Sequence, residues 1–278
     1  MIVALIRLMR PWYTVPITAG LPVIIAYVTA GHIGPICSDV ILASLSLGCI
    51  IAATYVLNDV CDVQADRINR PQHVLVGARV PRMAAILWSI VLFAAGLAVA
   101  ALCNLRFLAA AAGVCGLAVF YDLSSKRIGL LKVILVALLM TSLYPLAFAV
   151  AAPVDSPRLN SLYIFPVWLF FSALSYEMLK DIRDAEGDAA VSARSIARHS
   201  RKPWFLAAAR VVALMTGGMS VLPAAIGCGR IYLATALAAL ALMAASTLNP
   251  PGRAIPLIYV QVFLVTAGSL VDLLVLGP

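Results

Sequence analysis

The feature that most constrains this chain is an apolar stretch of about twenty residues that recurs about nine times along its length. A helix crossing the ~30 Å hydrocarbon core of a bilayer needs roughly 20 such residues at ~1.5 Å each. The stretches lie at roughly 14–31, 40–58, 83–102, 105–121, 130–150, 162–180, 204–226, 231–248 and 255–275. No connection between them is long enough for a soluble domain. The chain therefore reads as one all-α, polytopic membrane domain over residues 1–278, with about nine transmembrane helices. Its composition agrees, at 63% hydrophobic and 12% charged residues, where soluble domains carry about 25% charge.

The net charge is +8. In a soluble protein that would raise nucleic acid as a partner. Here the cations sit between apolar runs, so no nucleic acid is expected; membrane lipids or a phosphorylated substrate fit better. With the N-terminus in the cytoplasm, only Arg106, Arg158 and Arg230 of the 20 Lys and Arg fall on the other side. That bias obeys the positive-inside rule. It places two long polar connections, 59–82 and 181–203, on the cytoplasmic side, where chemistry is expected. The six cysteines show no CxxC or metal-ligand spacing and read as small apolar residues.

The acids are concentrated. Of twelve, nine fall at the cytoplasmic ends of the second, fourth and sixth apolar runs: Asp59, Asp62, Asp66, Asp122, Glu177, Asp181, Asp184, Glu186 and Asp188. Asp59, Asp62 and Asp66 repeat the spacing of Asp181, Asp184 and Asp188, and each member lies 122 residues before its counterpart. Residues i, i+3 and i+7 share one helix face, so each triplet is a stripe of carboxylates. The offset spans an even number of helices, so both stripes emerge on one side of the membrane. This predicts two parallel four-helix repeats around a central cavity, plus a ninth helix. Three like charges on one face near a membrane persist only if cations neutralise them. All-oxygen stripes without His suit Mg²⁺, two ions being expected, shared between carboxylates and substrate phosphates. Arg67, Arg70, Lys126, Arg127, Lys132, Lys180 and Arg183 lie on the same side and would help neutralise a diphosphate.

The segment Asn58-Asp59-Val60-Cys61-Asp62-Val63-Gln64-Ala65-Asp66-Arg67-Ile68-Asn69-Arg70-Pro71 resembles the first signature of the UbiA superfamily of intramembrane prenyltransferases. Lys180-Asp181-Ile182-Arg183-Asp184-Ala185-Glu186-Gly187-Asp188 resembles the second; Tyr121-Asp122 with Ser125-Lys126-Arg127, and Arg10-Pro11, resemble further motifs. The resemblance covers nearly the whole chain. It implies that the aspartates, assisted by Asn58, bind Mg²⁺ and a prenyl diphosphate, with Asp62, Asp66, Asp184 and Asp188 as the catalytic carboxylates. It also implies that Arg10 and the loop cations hold the diphosphate, while the prenyl tail runs into a cavity. Tyr121 and Tyr176 are placed to stabilise an allylic cation through their ring faces.

From Glu177 to Asp188 the second signature is most similar to that of geranylgeranylglyceryl phosphate geranylgeranyltransferases, with Arg183 where Glu is usual. After Pro71 the chain has Gln72-His73-Val74-Leu75-Val76-Gly77 in place of the frequent RPLPSG. The expected reaction is Mg²⁺-dependent prenyl transfer to a lipophilic acceptor, a glycerol lipid first and an aromatic second. A membrane terpene cyclase and a transporter are the alternatives.

Overall fold

The computed structural model describes residues 1–124, 128–191 and 200–277. Among the described residues there are no strands, and nine helical segments are long and apolar enough to cross a membrane. A short α1 (Ile2–Leu8) precedes α2 (Pro11–Val28), α3 (Cys37–Asn69), α4 (Arg82–Cys103) and α5 (Leu105–Ser124). The second half contains α6 (Leu131–Thr141), α7 (Leu143–Val150), α8 (Phe165–Arg183), α9 (Ala185–Val191), α10 (Pro203–Met219), α11 (Pro223–Ile226), α12 (Arg230–Leu248) and α13 (Pro251–Leu276).

Two of the expected spans are broken, and proline explains both. Pro145 has no N–H for the carbonyl of Thr141, so the fifth span divides into α6 and α7. Pro223 likewise cannot serve Met219, so the seventh divides into α10 and α11. The near-continuous third and fourth spans are separated by Asn104 alone. It takes an extended conformation, and its Oδ1 accepts from Phe107 N at 2.8 Å, capping α5.

The main departure from the expected boundaries concerns 59–82, read above as a connection from its first residue. Helix α3 continues through it to Asn69. Nothing between Asp59 and Asn69 breaks a helix, and Pro71 then forces Arg70 out of helical geometry. At 33 residues α3 is about 50 Å long, well beyond the ~30 Å apolar core. Its last turns therefore carry the first stripe out of the hydrocarbon layer on a rigid element.

The first half pairs α2 with α3, α3 with α4, and α4 with α5; the second pairs α6 with α8, α8 with α10, and α10 with α12. The α3–α4 contact is made close by small residues. Gly96 lies against Ile50 and the Ser46 carbonyl, and Ser46 Oγ donates to Gly96 O at 2.8 Å. The halves part at their fourth helix. Residues of α2, α3, α5, α6, α7, α8 and α13 line a central cavity, whereas α4, α10 and α12 pack outside it. The ninth span, α13, thus completes the wall where α12 does not.

Candidate active site

The ends of α3, α5, α6 and α8 meet on one side of the bundle, and α9 packs back against α3. Asp62 and Asp66 of α3 face Asp181, Asp184 and Asp188 across a small polar cleft, which Arg10, Asn58, Asn69, Arg70, Tyr121, Lys132 and Lys180 also line. The second triplet does not ride on one straight helix. The chain turns at Asp184 between α8 and α9, yet Asp188 N still donates to Asp184 O at 3.3 Å, so the stripe carries across the bend. Asn69 holds the bend in place: its Nδ2 donates to Asp184 O at 2.9 Å and its Oδ1 accepts from Gly187 N at 3.0 Å.

Asp59 stands slightly apart, lining the larger cavity with Asn58 and Asp122. The Arg10 guanidinium pairs with Asp59 Oδ1 and lies 5.1 Å from the centre of the Tyr55 ring. Arg10 has φ 48°, a left-handed conformation costly for a side chain with Cβ, immediately before Pro11. Strain of that kind persists only where surroundings hold it, here the Asp59 and Tyr55 contacts. Burial alone would lower the Arg10 pKa, but Asp59 holds it above its ordinary value.

The second stripe is laced with cations. Lys132 pairs with Asp181 and lies 3.6 Å from Glu177, and Lys180 donates to both Glu177 oxygens at 3.1 Å. Arg183 grips Asp184 through two hydrogen bonds of 2.8 and 2.9 Å, and Arg70 lies 3.6 Å from it. Burial would raise the Asp184 pKa, but Arg183 and Arg70 hold it below the usual carboxylate value.

Some acceptors stay unmet. Asp122 Oδ2 and Asp181 Oδ2 are buried and have no hydrogen bond. Buried carboxylate oxygens without partners are costly, and a hard divalent cation is the usual remedy. The donor set around the cleft, carboxylates plus the Asn58 amide, therefore fits Mg²⁺.

Of the residues singled out from sequence, Arg10, Arg70, Lys180 and Tyr121 line both the cleft and the cavity, and Tyr176 lines the cavity. Arg67 is exposed and lines neither. One residue beyond Asp66, it points about 100° away from the stripe. Lys126 and Arg127 lie outside the described residues. Lys132, expected among the cations for a diphosphate, lines the cleft as well, and two groups at the site carried no assigned role in the sequence: Glu177 and Asn69. Glu177 stands four residues before Asp181, on the same face, a spacing that the triplet pattern passes over.

The cleft opens into a cavity of about 890 Å³, near the top of the ~300–1,000 Å³ range of small-molecule sites. Its walls are mostly apolar, with Tyr13, Tyr55, Tyr176 and Tyr259 near the mouth and Tyr27, Tyr144, Phe165 and Trp168 at the far end. Along α3 it runs from Asp59 to Leu47, about 18 Å. A carboxylate-rich head with a long apolar tail space is the shape of a site for an amphiphile with an anionic end.

Comparison with known proteins agrees. Residues 16–250 match the UbiA prenyltransferase family. The chain is 31% identical over 223 residues to a digeranylgeranylglyceryl phosphate synthase of Sulfurisphaera tokodaii, covering 78% of this chain and 77% of that one. The synthase of the same name from Methanoculleus marisnigri is 33% identical over 193 residues, 69% and 67% of the two chains. Among solved structures, a UbiA homologue from Archaeoglobus fulgidus bound to GPP and Mg²⁺ superposes with a TM-score of 0.70 at 18% identity, covering 98% of this chain and 100% of that one. A structure described for digeranylgeranylglyceryl phosphate synthase gives 0.72 at 18% identity, covering 98% of each. By the extent of the family match and the identity to these relatives, the chain belongs to the UbiA prenyltransferase family.

Proposed function

We propose that this prenyltransferase moves a prenyl group from a prenyl diphosphate to the free hydroxyl of a glycerol-phosphate lipid of the geranylgeranylglyceryl phosphate type, at the cytoplasmic face of the membrane. The observation that carries the donor half is the cleft itself: five carboxylates from two helical rows, set at the mouth of a long apolar cavity. Asp62, Asp66, Asp181, Asp184 and Asp188, with Asn58 and Asp59, would hold Mg²⁺ there. Mg²⁺ bound among them supplies positive charge to the diphosphate, which makes it a better leaving group.

The chain's own groups do the rest. Arg10, Arg70, Lys132 and Lys180 line the cleft as cations for the outer diphosphate oxygens. The allylic C–O bond breaks and its electron pair leaves with diphosphate. The apolar wall keeps water from the cation, and the rings of Tyr121 and Tyr176 face it with about 0.5–2 kcal/mol of stabilisation each. The acceptor hydroxyl oxygen then bonds to the allylic carbon and gives up its proton to the departing diphosphate or a cleft carboxylate. The products are a prenyl ether and diphosphate.

The acceptor assignment is supported by the relatives' names and by the Glu177–Asp188 segment. The side of the membrane is supported by the distribution of Lys and Arg. The test is to supply purified protein with labelled geranylgeranyl diphosphate and either geranylgeranylglyceryl phosphate or 4-hydroxybenzoate. A labelled diether from the first and no product from the second is expected. An aromatic product would move the acceptor class. A cyclised hydrocarbon without any acceptor would make the protein a cyclase.

A further inference from the structure

His73 stands over the first carboxylate row, in the segment where this chain departs from the family pattern. Its Nε2 lies 3.3 Å from Asp59 Oδ2, and its Nδ1 lies 3.9 Å from Asp66 Oδ2. One ligand atom from each of Asp59, Asp66 and His73 lies within 4.8 Å of the other two. Asp59 is 1% exposed and Asp66 5%. Asp59 Oδ2, Asp66 Oδ2 and His73 Nδ1 are all buried atoms that make no hydrogen bond. Two buried carboxylate oxygens and an imidazole nitrogen thus converge without a proton bridging Nδ1 to any of its neighbours.

The ring is placed by the fold. Arg70 N donates to Asp66 O at 2.8 Å and His73 N donates to Arg70 O at 2.8 Å, so the segment turns directly back over α3. Val74 and Leu75, the next two residues, are buried in the apolar cluster formed by Leu8, Val56 and Val60. Gly77 N closes the turn on His73 O at 3.0 Å. The backbone that carries the imidazole is thus held on both sides.

We propose that His73 is a nitrogen ligand of the divalent cation held by Asp59 and Asp66, which makes the first row a mixed nitrogen–oxygen centre. The inference rests on the reading of the aspartate rows as metal-binding and gives it a chemical consequence. Mg²⁺ takes oxygen ligands, whereas imidazole favours later divalent ions and Mn²⁺ accepts both. An ion with a nitrogen ligand there is held more tightly when it is Mn²⁺ than when it is Mg²⁺, while the all-oxygen second row has no such preference. Arg10 takes Asp59 Oδ1 and leaves Oδ2, the atom nearest His73, for the ion.

The experiment loads the full-length protein in detergent with Mn²⁺ and inorganic diphosphate and records electron spin-echo modulation from nitrogen, beside calorimetric Kd values for Mn²⁺ and Mg²⁺. Wild type is expected to show ¹⁴N modulation, replaced by the ¹⁵N pattern when histidine alone is labelled. His73→Gln is expected to lose it, with the Mn²⁺-over-Mg²⁺ preference falling about tenfold or more, the scale on which metal sites respond to lost support. The labelled wild type keeps the test decisive should that variant fold poorly. Mn²⁺ bound with no histidine modulation would overturn the role of His73 and leave the aspartate site standing. No Mn²⁺ bound at all would overturn both.

Discussion

Gly187→Ala adds a single methyl group, and the structure places it against a backbone. Gly187 lies where α9 crosses α3, three residues beyond the bend that Asn69 secures. A Cβ built there would lie 2.6 Å from Ala65 O and 2.6 Å from both Cγ and Nδ2 of Asn69. Ordinary contact begins at 3.4 Å, so α9 and α3 must separate by on the order of 0.8 Å, an overpacking that costs about 1–3 kcal/mol. Ala65 O is a backbone atom in the last turns of α3 and gives less readily than a side chain. Asn69 is the softer neighbour, but moving it breaks its hydrogen bonds to Asp184 O and Gly187 N. Asp188 rides on α9 and Asp184 on the bend, so the second row retreats from the first. Misplacing groups that orient a substrate by ~1 Å costs about a hundredfold in rate. Gly113→Ala is the control, since nothing lies within 4 Å of a Cβ in that position of α5; there the substitution should be neutral or stabilise by about 0.5–1 kcal/mol. The assay is Mg²⁺-dependent diphosphate release in membranes at saturating donor, with the thermal inactivation midpoint measured beside it. Turnover in Gly187→Ala equal to that of Gly113→Ala would refute the reasoning, because the two rows would then not depend on the α9–α3 contact.

Three further perturbations follow from particular contacts. Lys132→Met removes the cation between Asp181 and Glu177; breaking one side of a buried pair costs roughly 3–5 kcal/mol, so thermal stability should fall sharply and Lys132→Arg should recover part of it. Asp272→Ala strips the partner of Arg158 and the acceptor for the N–H groups of Gly229 and Tyr232 at the far end of the bundle. It should lower the inactivation midpoint while leaving the KM for donor unchanged in the folded fraction. Ser172→Trp fills the cavity about 13 Å below Asp181 along α8; product analysis should show geranyl diphosphate still used and geranylgeranyl diphosphate rejected.

Much of this architecture is visible in the sequence because a bilayer leaves a chain few options. Apolar runs of spanning length give the helices, and the duplicated aspartate spacing brings the two rows to a common side as a pair. Boundaries that depend on local chemistry are also written there, though not in hydropathy. Pro145 and Pro223 break their spans, and the absence of a breaker before Pro71 lets α3 run on to Asn69. The residues that sequence reading passes over act across the fold. Asn69 bridges α3 to α9, Glu177 of α8 meets Lys132 of α6, and His73 returns from a turn with no periodicity. Each is meaningful only once its distant partner is in place. Arg67 shows the reverse case, adjacent to Asp66 in sequence but on another, exposed face of the helix.

The central claim is that the two aspartate rows act as one diphosphate site. Equilibrium binding of labelled geranylgeranyl diphosphate to wild type, Asp62→Asn and Asp184→Asn, each with Mg²⁺ and with chelator, tests it most directly. Mg²⁺ is expected to tighten binding in wild type, and either single substitution to remove most of that gain. A variant in either row that keeps the full Mg²⁺-dependent affinity would contradict it.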